Sequence, residues 1–480
     1  MKIDNLPVAV IGAGPVGLAA AAHLQTSGLP LRIFEAGEAA GTHVRAWGHV
    51  RVFSPWRFNI DSASAGLLRA TGWVSPPADG MPTGDEIRER YLEPLAALFA
   101  RAGTLETGVR VRAISRWGVD KVVTRGRERH PFALSVEEKG GAERIVLARA
   151  VIDASGTFSN PNPMGASGVK APGEAAHAGQ IAYGIPDVLG RERARYAGQR
   201  VLVIGGGHSA ANVLLDLGRL AETDTRLAVT WAIRGDNPAR AFGGGAADRL
   251  EARGQLGLDL QRFAQSGKLA IETAFATAGV AARDGGLVVN DGMREIGPFD
   301  RIVVCTGQRP DMSMTRELRL DLDPWLESAR VLGPLIDPNL HSCGTVRPHG
   351  YRELSHPEPD YFAVGIKSYG RAPTFLMATG YEQVRSVVAH LAGDEAAAND
   401  VRLELPETGV CAIPAAEEAE DDCGCSPTPA AKAAATCCAP KPKVRIAAGS
   451  AAVPADAGCG CAPTPEALAE ASCCEALARK

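Results

Sequence analysis

The sequence predicts an α/β fold made of two Rossmann-like dinucleotide-binding domains, the second inserted into the first. Two glycine-rich turns, each between an apolar strand and an apolar helix, are the main observation. A strand, a glycine loop and a long helix over residues 361–392 then complete the first domain. We expect the first domain in residues 1–170 and 306–395, and the inserted domain in residues 195–305.

Bulk composition supports an enzyme of two or three domains. The 480 residues are 45% hydrophobic and 22% charged, which is ordinary for a globular enzyme. The net charge of -4 predicts no broad basic face for nucleic acid. The chain has no apolar run of the roughly 20 residues that cross a bilayer, and its N-terminus lacks a signal-peptide layout. We therefore expect a cytoplasmic protein without a membrane partner, and make no prediction of its oligomeric state.

The first glycine turn fits the pattern G-x-G-x-x-G with Gly12, Gly14 and Gly17. The first glycine permits a tight turn, the second lets a pyrophosphate approach the backbone, and the third lets helix and strand pack closely. Glu35 ends the next strand, where an acid binds a ribose hydroxyl. This spacing predicts a dinucleotide site.

The second turn fits G-x-G-x-x-A with Gly205, Gly207 and Ala210, and Ser209 lies inside it. The strand after it ends in Arg234 instead of an acid. A cation there suits the 2′-phosphate of NADPH, which favours NADPH over NADH. The alternative is that Arg234 is only a solvated arginine at a strand end.

The elements between these turns have simpler patterns. Residues 83–101 have helical spacing with Thr83 as N-cap, and residues 109–155 alternate like an antiparallel meander that ends in a buried strand. A long helix is expected from about Pro373 to Leu391.

With these motifs in place, residues 5–393 resemble the flavin-containing monooxygenase superfamily. The strongest match is the Val-Ile-Gly-Gly-Gly-His-Ser-Ala-Ala run at 203–211. The segments 82–92, 153–156 and 305–311 are similar to the family's helix after the first flavin segment and to its two strand–glycine crossovers. The thiol-rich C-terminus makes the chain most similar to the flavin monooxygenase-type proteins of arsenic-resistance operons.

The resemblance implies FAD at the first turn, NADPH at the second, and a small-molecule substrate oxidised with oxygen. It implies that Gly156, Gly307 and Gly365 contact the cofactors and that Asn59 faces the flavin as a catalytic residue. It also implies that the helix after Gly365 stabilises negative charge on reduced flavin. The alternative for Asn59 is an ordinary turn residue.

One family fingerprint, F-x-G-x-x-x-H-x-x-x-(F/Y), is only partly present. Gly173 and His177 fit, whereas Ala171 stands where Phe is expected and Tyr183 lies two residues too far along. The departure concerns the monooxygenase assignment and leaves the two-dinucleotide architecture intact.

Residues 400–480 are rich in Ala, Pro, acidic residues and Cys, a composition that predicts a disordered tail. The tail contains a duplicated module in which each cysteine recurs 36 positions later. Such closely spaced thiolates select soft ions, so the module predicts a thiophilic metal or metalloid site, formed between the two repeats. The predicted ligands are Cys423, Cys425, Cys437, Cys438, Cys459, Cys461, Cys473 and Cys474.

Three functions fit these patterns: a flavin monooxygenase with an ion-binding tail, a flavin reductase that uses the tail cysteines, and a non-enzymatic thiol-rich module. No C-x-x-C or C-x-x-x-x-C pair precedes the tail, and we expect Cys305 and Cys343 to be structural. A metal site at His341, Cys343, His349 and His356 is less favoured, because the spacing is loose.

Overall fold

The structure is a computed structural model that describes residues 3–245, 248, 250–341 and 346–403. Its strands are β1 (Val8–Ile11), β2 (Leu31–Glu35), β3 (Leu105–Thr107), β4 (Val109–Arg116), β5 (Phe132–Glu138), β6 (Glu143–Ala148), β7 (Ala150–Asp153), β8 (Ile181–Tyr183), β9 (Arg200–Ile204), β10 (Ala228–Ala232), β11 (Leu269–Glu272), β12 (Gly279–Arg283), β13 (Gly286–Asn290), β14 (Glu295–Phe299), β15 (Arg301–Val304) and β16 (Tyr361–Ala363).

The α-helices are α1 (Pro15–Thr26), α2 (Thr42–Ala46), α3 (Trp56–Asn59), α4 (Ser62–Arg69), α5 (Gly84–Ile87), α6 (Glu93–Arg101), α7 (Arg193–Tyr196), α8 (His208–Thr223), α9 (Glu251–Gln265), α10 (Gly333–Ile336), α11 (Tyr351–Leu354), α12 (Met377–Leu391) and α13 (Glu395–Asn399).

The first parallel sheet has the strand order β16-β7-β1-β2-β3. Every residue of β1 and β7 is buried, as expected for central strands covered on both faces. Helices α1 and α12 pack together beside this sheet. Its strands come from both ends of the described chain, so the segments that form the second sheet are inserted between them.

The second parallel sheet has the order β11-β10-β9-β15-β8. Helix α8 packs against β9, β10 and α9, and the fully buried Trp231 of β10 belongs to this core. Both sheets follow the strand–turn–helix–strand order that the glycine motifs predict, which confirms the α/β class and the insertion. The strand Ile181–Tyr183 lies in the second sheet ahead of residue 195, and the exact domain boundaries stay a prediction.

Two antiparallel sheets accompany the parallel ones. Strands β4, β5 and β6 form the predicted meander, and the chain then enters the first parallel sheet as β7. Strands β12, β13 and β14 form the second antiparallel sheet.

The helix predicted over residues 83–101 forms, but it is not uniform. Thr83 caps it in a reciprocal capping box with Glu86, as predicted for an N-cap. The segment Arg88–Leu92 widens into a π-turn. Pro94 lies two residues after this segment and has no N–H for the carbonyl of Arg90, which accounts for the local widening.

The helix predicted from Pro373 begins later, at Met377. Leu376 has extended backbone dihedral angles, with φ of -122° and ψ of 148°. The ring of Phe375 packs against Tyr369 at 5.3 Å, which holds this approach to the helix in an irregular path. The prediction was therefore wrong by one turn at the N-terminus.

Within the described ranges, no helix has both the length and the apolar character needed to span a bilayer. The cysteine-rich segment, with its two repeats and the disorder predicted for it, lies outside the described residues.

Candidate functional site

The first glycine turn has the division of roles that its pattern predicts. Gly12 has a φ of +97°, and a Cβ there would lie 2.7 Å from the carbonyl oxygen of Ala154. A Cβ on Gly17 would lie 2.0 Å from the carbonyl oxygen of Gly12. By contrast, a Cβ on Gly14 would have no neighbour within 4 Å. The outer glycines are therefore required by packing, and the middle one faces open space.

A cleft of about 440 Å³ lies in front of this turn, within the usual range for small-molecule sites. No side chain caps the N-terminus of α1, so its free N–H groups and positive dipole end are available to an anion. These features fit the pyrophosphate of a dinucleotide. The cleft is lined by residues from several segments of the chain, among them Gly12, Gly14, Glu35, His43, Arg110, Ser155, Gly156, Phe158, Gly365, Ile366 and Met377.

Glu35 joins the end of β2 to the turn. Its Oε2 accepts a hydrogen bond from the N–H of Ala13, and its Oε1 accepts one from the N–H of Gly37, both at 2.7 Å. The side chain is largely buried at the cleft wall. This position suits a carboxylate that binds a ribose, as the sequence predicts.

The second turn repeats this arrangement in the second sheet. Gly205 has a φ of +135°, and a Cβ there would lie 2.4 Å from the carbonyl oxygen of Cys305. Its own carbonyl accepts a hydrogen bond from Nε1 of Trp231 at 2.7 Å. A Cβ on Gly207 would meet nothing within 4 Å. No side chain caps α8, whose second residue is Ser209, so this helix end is also open to a phosphate.

Arg234 lies two residues beyond the end of β10, and its side chain is exposed. Its Nη1 donates one hydrogen bond, at 3.3 Å, to the carbonyl of Ala166. Its position at the end of the second strand, beyond the glycine turn, is the one that the NADPH prediction requires.

The two halves of the chain meet near the second turn. The ring of Phe53 lies 5.4 Å from the ring of His208, the first residue of α8. Phe53 immediately precedes the segment that leads into α3. This contact brings the first half of the chain to the open end of α8.

Of the predicted crossover glycines, Gly156 and Gly365 line the cleft, with φ values of +71° and +69°. Gly307 lies at the next crossover, where its carbonyl accepts a hydrogen bond from the N–H of Asn162 at 3.0 Å. Its neighbour Gln308 reaches the cleft wall and contacts Thr157.

Asn59 does not line the cleft. It is buried, and its Nδ2 donates to the carbonyl oxygens of Ser54 and Pro55. Its own carbonyl accepts a hydrogen bond from the hydroxyl of Tyr381 at 2.8 Å. These contacts hold α3 against α12, and a flavin-facing role for Asn59 stays a prediction.

Several cleft residues escaped sequence reasoning. His43 and Phe158 both line the cleft, and their rings stack with centroids 5.0 Å apart. Arg110 and Met377 contribute a cation and an apolar side chain from distant segments. Ser155 belongs to a segment that the motifs singled out, because it precedes Gly156 in the first crossover, and Met377 lies in the predicted strand, glycine loop and helix over residues 361–392.

His349 belongs to a buried network under the cleft. Its Nδ1 contacts the carbonyl of Arg347 at 2.9 Å, and its Nε2 accepts from the amide of Gln383 at 3.0 Å. The other side of that amide accepts the N–H of Gly365 at 2.8 Å. Burial lowers the pKa of His349. Both ring nitrogens are therefore used in packing the cleft wall.

The described residues contain no cluster of His, Cys, Asp and Glu suited to a metal ion. Cys343 lies outside the described residues, as do all eight cysteines predicted as metal ligands. Cys305 is buried, and burial raises the pKa of its thiol to about 12. It contacts the carbonyl of Gly184 at 3.3 Å, in agreement with a structural role.

Two parallel sheets, each with an open glycine turn at the start of a helix, define the two-dinucleotide class of oxidoreductases. The chain belongs to the pyridine nucleotide-disulphide oxidoreductase family, whose model matches residues 9–329. No curated protein matches the chain. The family confirms the predicted oxidoreductase and, with it, FAD and NADPH as cofactors, and it argues against a non-enzymatic thiol module.

Solved structures show the same fold. Bacillithiol disulfide reductase from Bacillus cereus is 17% identical with a TM-score of 0.59, over 81% of this chain and 99% of its own. A flavin-containing monooxygenase from Stenotrophomonas maltophilia is 25% identical with a TM-score of 0.50, over 80% and 99%. The cadaverine monooxygenase of Erwinia amylovora, determined with bound FAD, is 14% identical with a TM-score of 0.55, over 87% and 100%.

Proposed function

We propose that the chain is an FAD- and NADPH-dependent monooxygenase that oxidises a small, soft nucleophile. NADPH, a proton, O₂ and the substrate would give NADP⁺, water and the oxygenated substrate. The observation that carries this proposal is that the described residues offer two nucleotide sites but no accessible thiol to accept electrons. Both nucleotide turns are open, while the only cysteine that the structure describes, Cys305, is buried. The 25% identity to a flavin-containing monooxygenase supports the same class.

The proposed roles follow the two turns. Gly12, Gly14, Gly17 and Glu35 would hold the pyrophosphate and ribose of FAD, with Gly156 and Gly365 along the same cleft. Bound FAD would supply hydride acceptance and oxygen activation. The N-terminus of α12, which has no side-chain cap, would stabilise negative charge there.

On the NADPH side, Gly205, Gly207 and Ser209 would hold the pyrophosphate and Arg234 the 2′-phosphate. Gly307 would support the crossover between the two sites. We propose that the FAD domain comprises 1–170 and 306–395, and the NADPH domain 195–305.

For the substrate, we propose a thiophilic metalloid of the kind that arsenic-resistance proteins handle, with the tail repeats as its binding module. Their eight cysteines occur as C-x-C and C-C pairs, which suit soft ions such as As(III). The tail would raise the local concentration of the ion near the core. Oxidation of the bound ion would then occur at the FAD cleft.

Turnover with NADPH under ¹⁸O₂ tests the monooxygenase proposal. The full-length protein is compared with a full-length variant in which the eight repeat cysteines are serine, using NADPH and arsenite under ¹⁸O₂. We expect NADPH oxidation in both proteins, ¹⁸O in the product, and a higher KM for arsenite in the variant. Multiple turnovers of NADPH that proceed equally well without oxygen would contradict the proposal.

The family match favours one second candidate, a reductase that passes electrons to tail disulfides. In that case NADPH would reduce a disulfide to two thiols without oxygen. Anaerobic oxidation of more than one equivalent of NADPH per flavin by the oxidised full-length protein, reduced to a single equivalent in the eight-serine variant, would support this candidate over the monooxygenase.

A further inference from the structure

We propose that Lys367 and Asp153 are a positioning pair that sets both the geometry and the charge of the FAD-cleft wall, acting through Ser155. The inference rests on the proposed function in one respect, since it takes the cleft to hold FAD. It assigns a function to a buried ion pair, of which only Asp153 belongs to a segment that the motifs singled out.

Asp153 ends β7, and its carboxylate makes four contacts with three residues. Oδ2 contacts Nζ of Lys367 at 2.7 Å and accepts a hydrogen bond from the hydroxyl of Tyr361 at 2.9 Å. Oδ1 accepts from the N–H of Ser155 at 3.1 Å and from its hydroxyl at 2.7 Å. Burial, together with the neighbouring Asp153 charge, raises the pKa of Tyr361, so its hydroxyl remains a donor. The carboxylate is thus fully satisfied away from water.

Lys367 lies in the turn that follows β16. Its ammonium also donates to the hydroxyl of Ser155 at 3.0 Å. The side chains of Lys367 and Asp153 are only 1% and 0% exposed. Burying two charges has a large desolvation cost, which close geometry and extra hydrogen bonds offset. A contact that only holds a strand against a turn does not need charges, because well-packed apolar residues stabilise such a contact equally well.

The pair joins the two segments that form one wall of the cleft. Ser155 and Gly156 line the cleft from the first segment, and Gly365 and Ile366 line it from the second. The second segment is also held from behind, where Gln383 accepts the N–H of Gly365 at 2.8 Å. Lys367 therefore fixes the spacing between two parts of the wall that are far apart in the chain.

The charges give the pair a second effect. Intact, the pair of Lys367 and Asp153 has no net charge. Without Lys367, the buried carboxylate stands unpaired behind Ser155 and opposes both the pyrophosphate and the negative charge of reduced flavin. Without the carboxylate, the ammonium favours both. If the pair were purely structural, the midpoint potential of the bound flavin would shift in the same direction in both single variants.

The test uses the full chain with Lys367→Met, Asp153→Asn, the double variant, and Ser155→Ala. The exposed pair Arg330 and Asp321 supplies the charge controls Arg330→Met and Asp321→Asn. Each protein is measured for flavin content, FAD dissociation constant, midpoint potential of the bound flavin, and thermal unfolding.

We expect Lys367→Met to weaken FAD binding by about tenfold or more and to lower the midpoint potential. Asp153→Asn should raise the potential, and the double variant should lie close to wild type. Ser155→Ala keeps the ion pair and should weaken FAD binding about threefold. If a charge variant does not fold, the FAD affinity of Ser155→Ala still tests the inference. The control variants should match wild type.

Two results would overturn the inference: single variants whose potentials shift in the same direction, or Ser155→Ala and folded Lys367→Met proteins that bind FAD like wild type. A wild-type protein that binds no FAD would overturn the proposed function first, and this inference with it. Wild-type binding with unaffected variants would overturn the inference alone.

Discussion

The carboxylate of Glu35 accepts a hydrogen bond from the backbone N–H of Ala13, with 2.7 Å between Oε2 and the nitrogen. This bond ties the end of β2 to the middle of the first glycine turn, so the predicted ribose ligand also shapes the pyrophosphate site.

We therefore expect Glu35→Ala to weaken FAD binding by about tenfold or more, because it removes the ribose acceptor and loosens the turn. Titration of FAD into deflavinated protein measures this. Glu38→Ala is the matched control, since Glu38 is exposed and forms an ion pair with the exposed Lys139. Equal affinities of the two variants would refute the role of Glu35.

Gly14→Val tests the pyrophosphate site by occupying its open space. A Cβ at Gly14 meets no protein atom within 4 Å, so the fold should tolerate valine while the ligand should not. The purified variant should be colourless. Gly66→Val is the control, because Gly66 also has open space around it but lies in α4, outside the cleft. Normal flavin content in Gly14→Val would disprove the site.

Arg234→Ala tests nucleotide choice. Loss of a charge-assisted contact with the 2′-phosphate should raise the KM for NADPH by about tenfold or more and leave that for NADH nearly unchanged. Arg226→Ala is the control, since Arg226 is an exposed arginine that precedes β10 at its other end. An equal change for both nucleotides would show that Arg234 is only a surface residue.

Glu358→Gln tests a buried ion network that is remote from the cleft. The carboxylate accepts hydrogen bonds from Arg116 and Arg127 at 2.8–3.1 Å and is fully buried. Removing its charge should lower the free energy of unfolding by about 3–5 kcal/mol, because two buried cations lose their partner. Urea denaturation measures the loss. The exposed Glu38→Gln should leave stability unchanged.

The same residue predicts a pH dependence. Burial opposes ionisation of Glu358, but hydrogen bonds from Arg127 and Arg116 outweigh it and hold its pKa below the ordinary 4.5. Its stabilising contribution is therefore complete above pH 4.5 and is lost as the pH falls through the folded-state pKa. Wild type should lose stability more steeply than Glu358→Gln in this acid range. Parallel curves would contradict the assignment.

Sequence reasoning identified positions that depend on local backbone geometry. The positions of Gly12, Gly17 and Gly205 can be predicted from the sequence, because each must be glycine to pass within van der Waals distance of another backbone segment. The positions of Glu35 and Arg234 can be predicted from the length of the strands, since each residue lies at or just past the end of the strand that follows a glycine turn.

The rest of the cleft depends on pairs that are far apart in the chain. Lys367 contacts Ser155 across 212 positions, and Thr157 contacts Gln308 across 151. Such pairs leave no periodic pattern in one sequence. A lysine within an apolar run, Val-Gly-Ile-Lys-Ser-Tyr-Gly at 364–370, and an aspartate within another, Ala-Val-Ile-Asp-Ala at 150–154, indicate buried charges.

Anaerobic titration of the purified full-length protein with NADPH tests the central claim most directly, because it requires both sites to be filled and to communicate. We predict that a single equivalent of NADPH bleaches the visible absorbance of bound flavin, and that oxygen restores it. The variant with serine at the eight repeat cysteines should behave in the same way. Flavin that NADPH does not bleach, or that is bleached but not reoxidised by oxygen, would contradict the account.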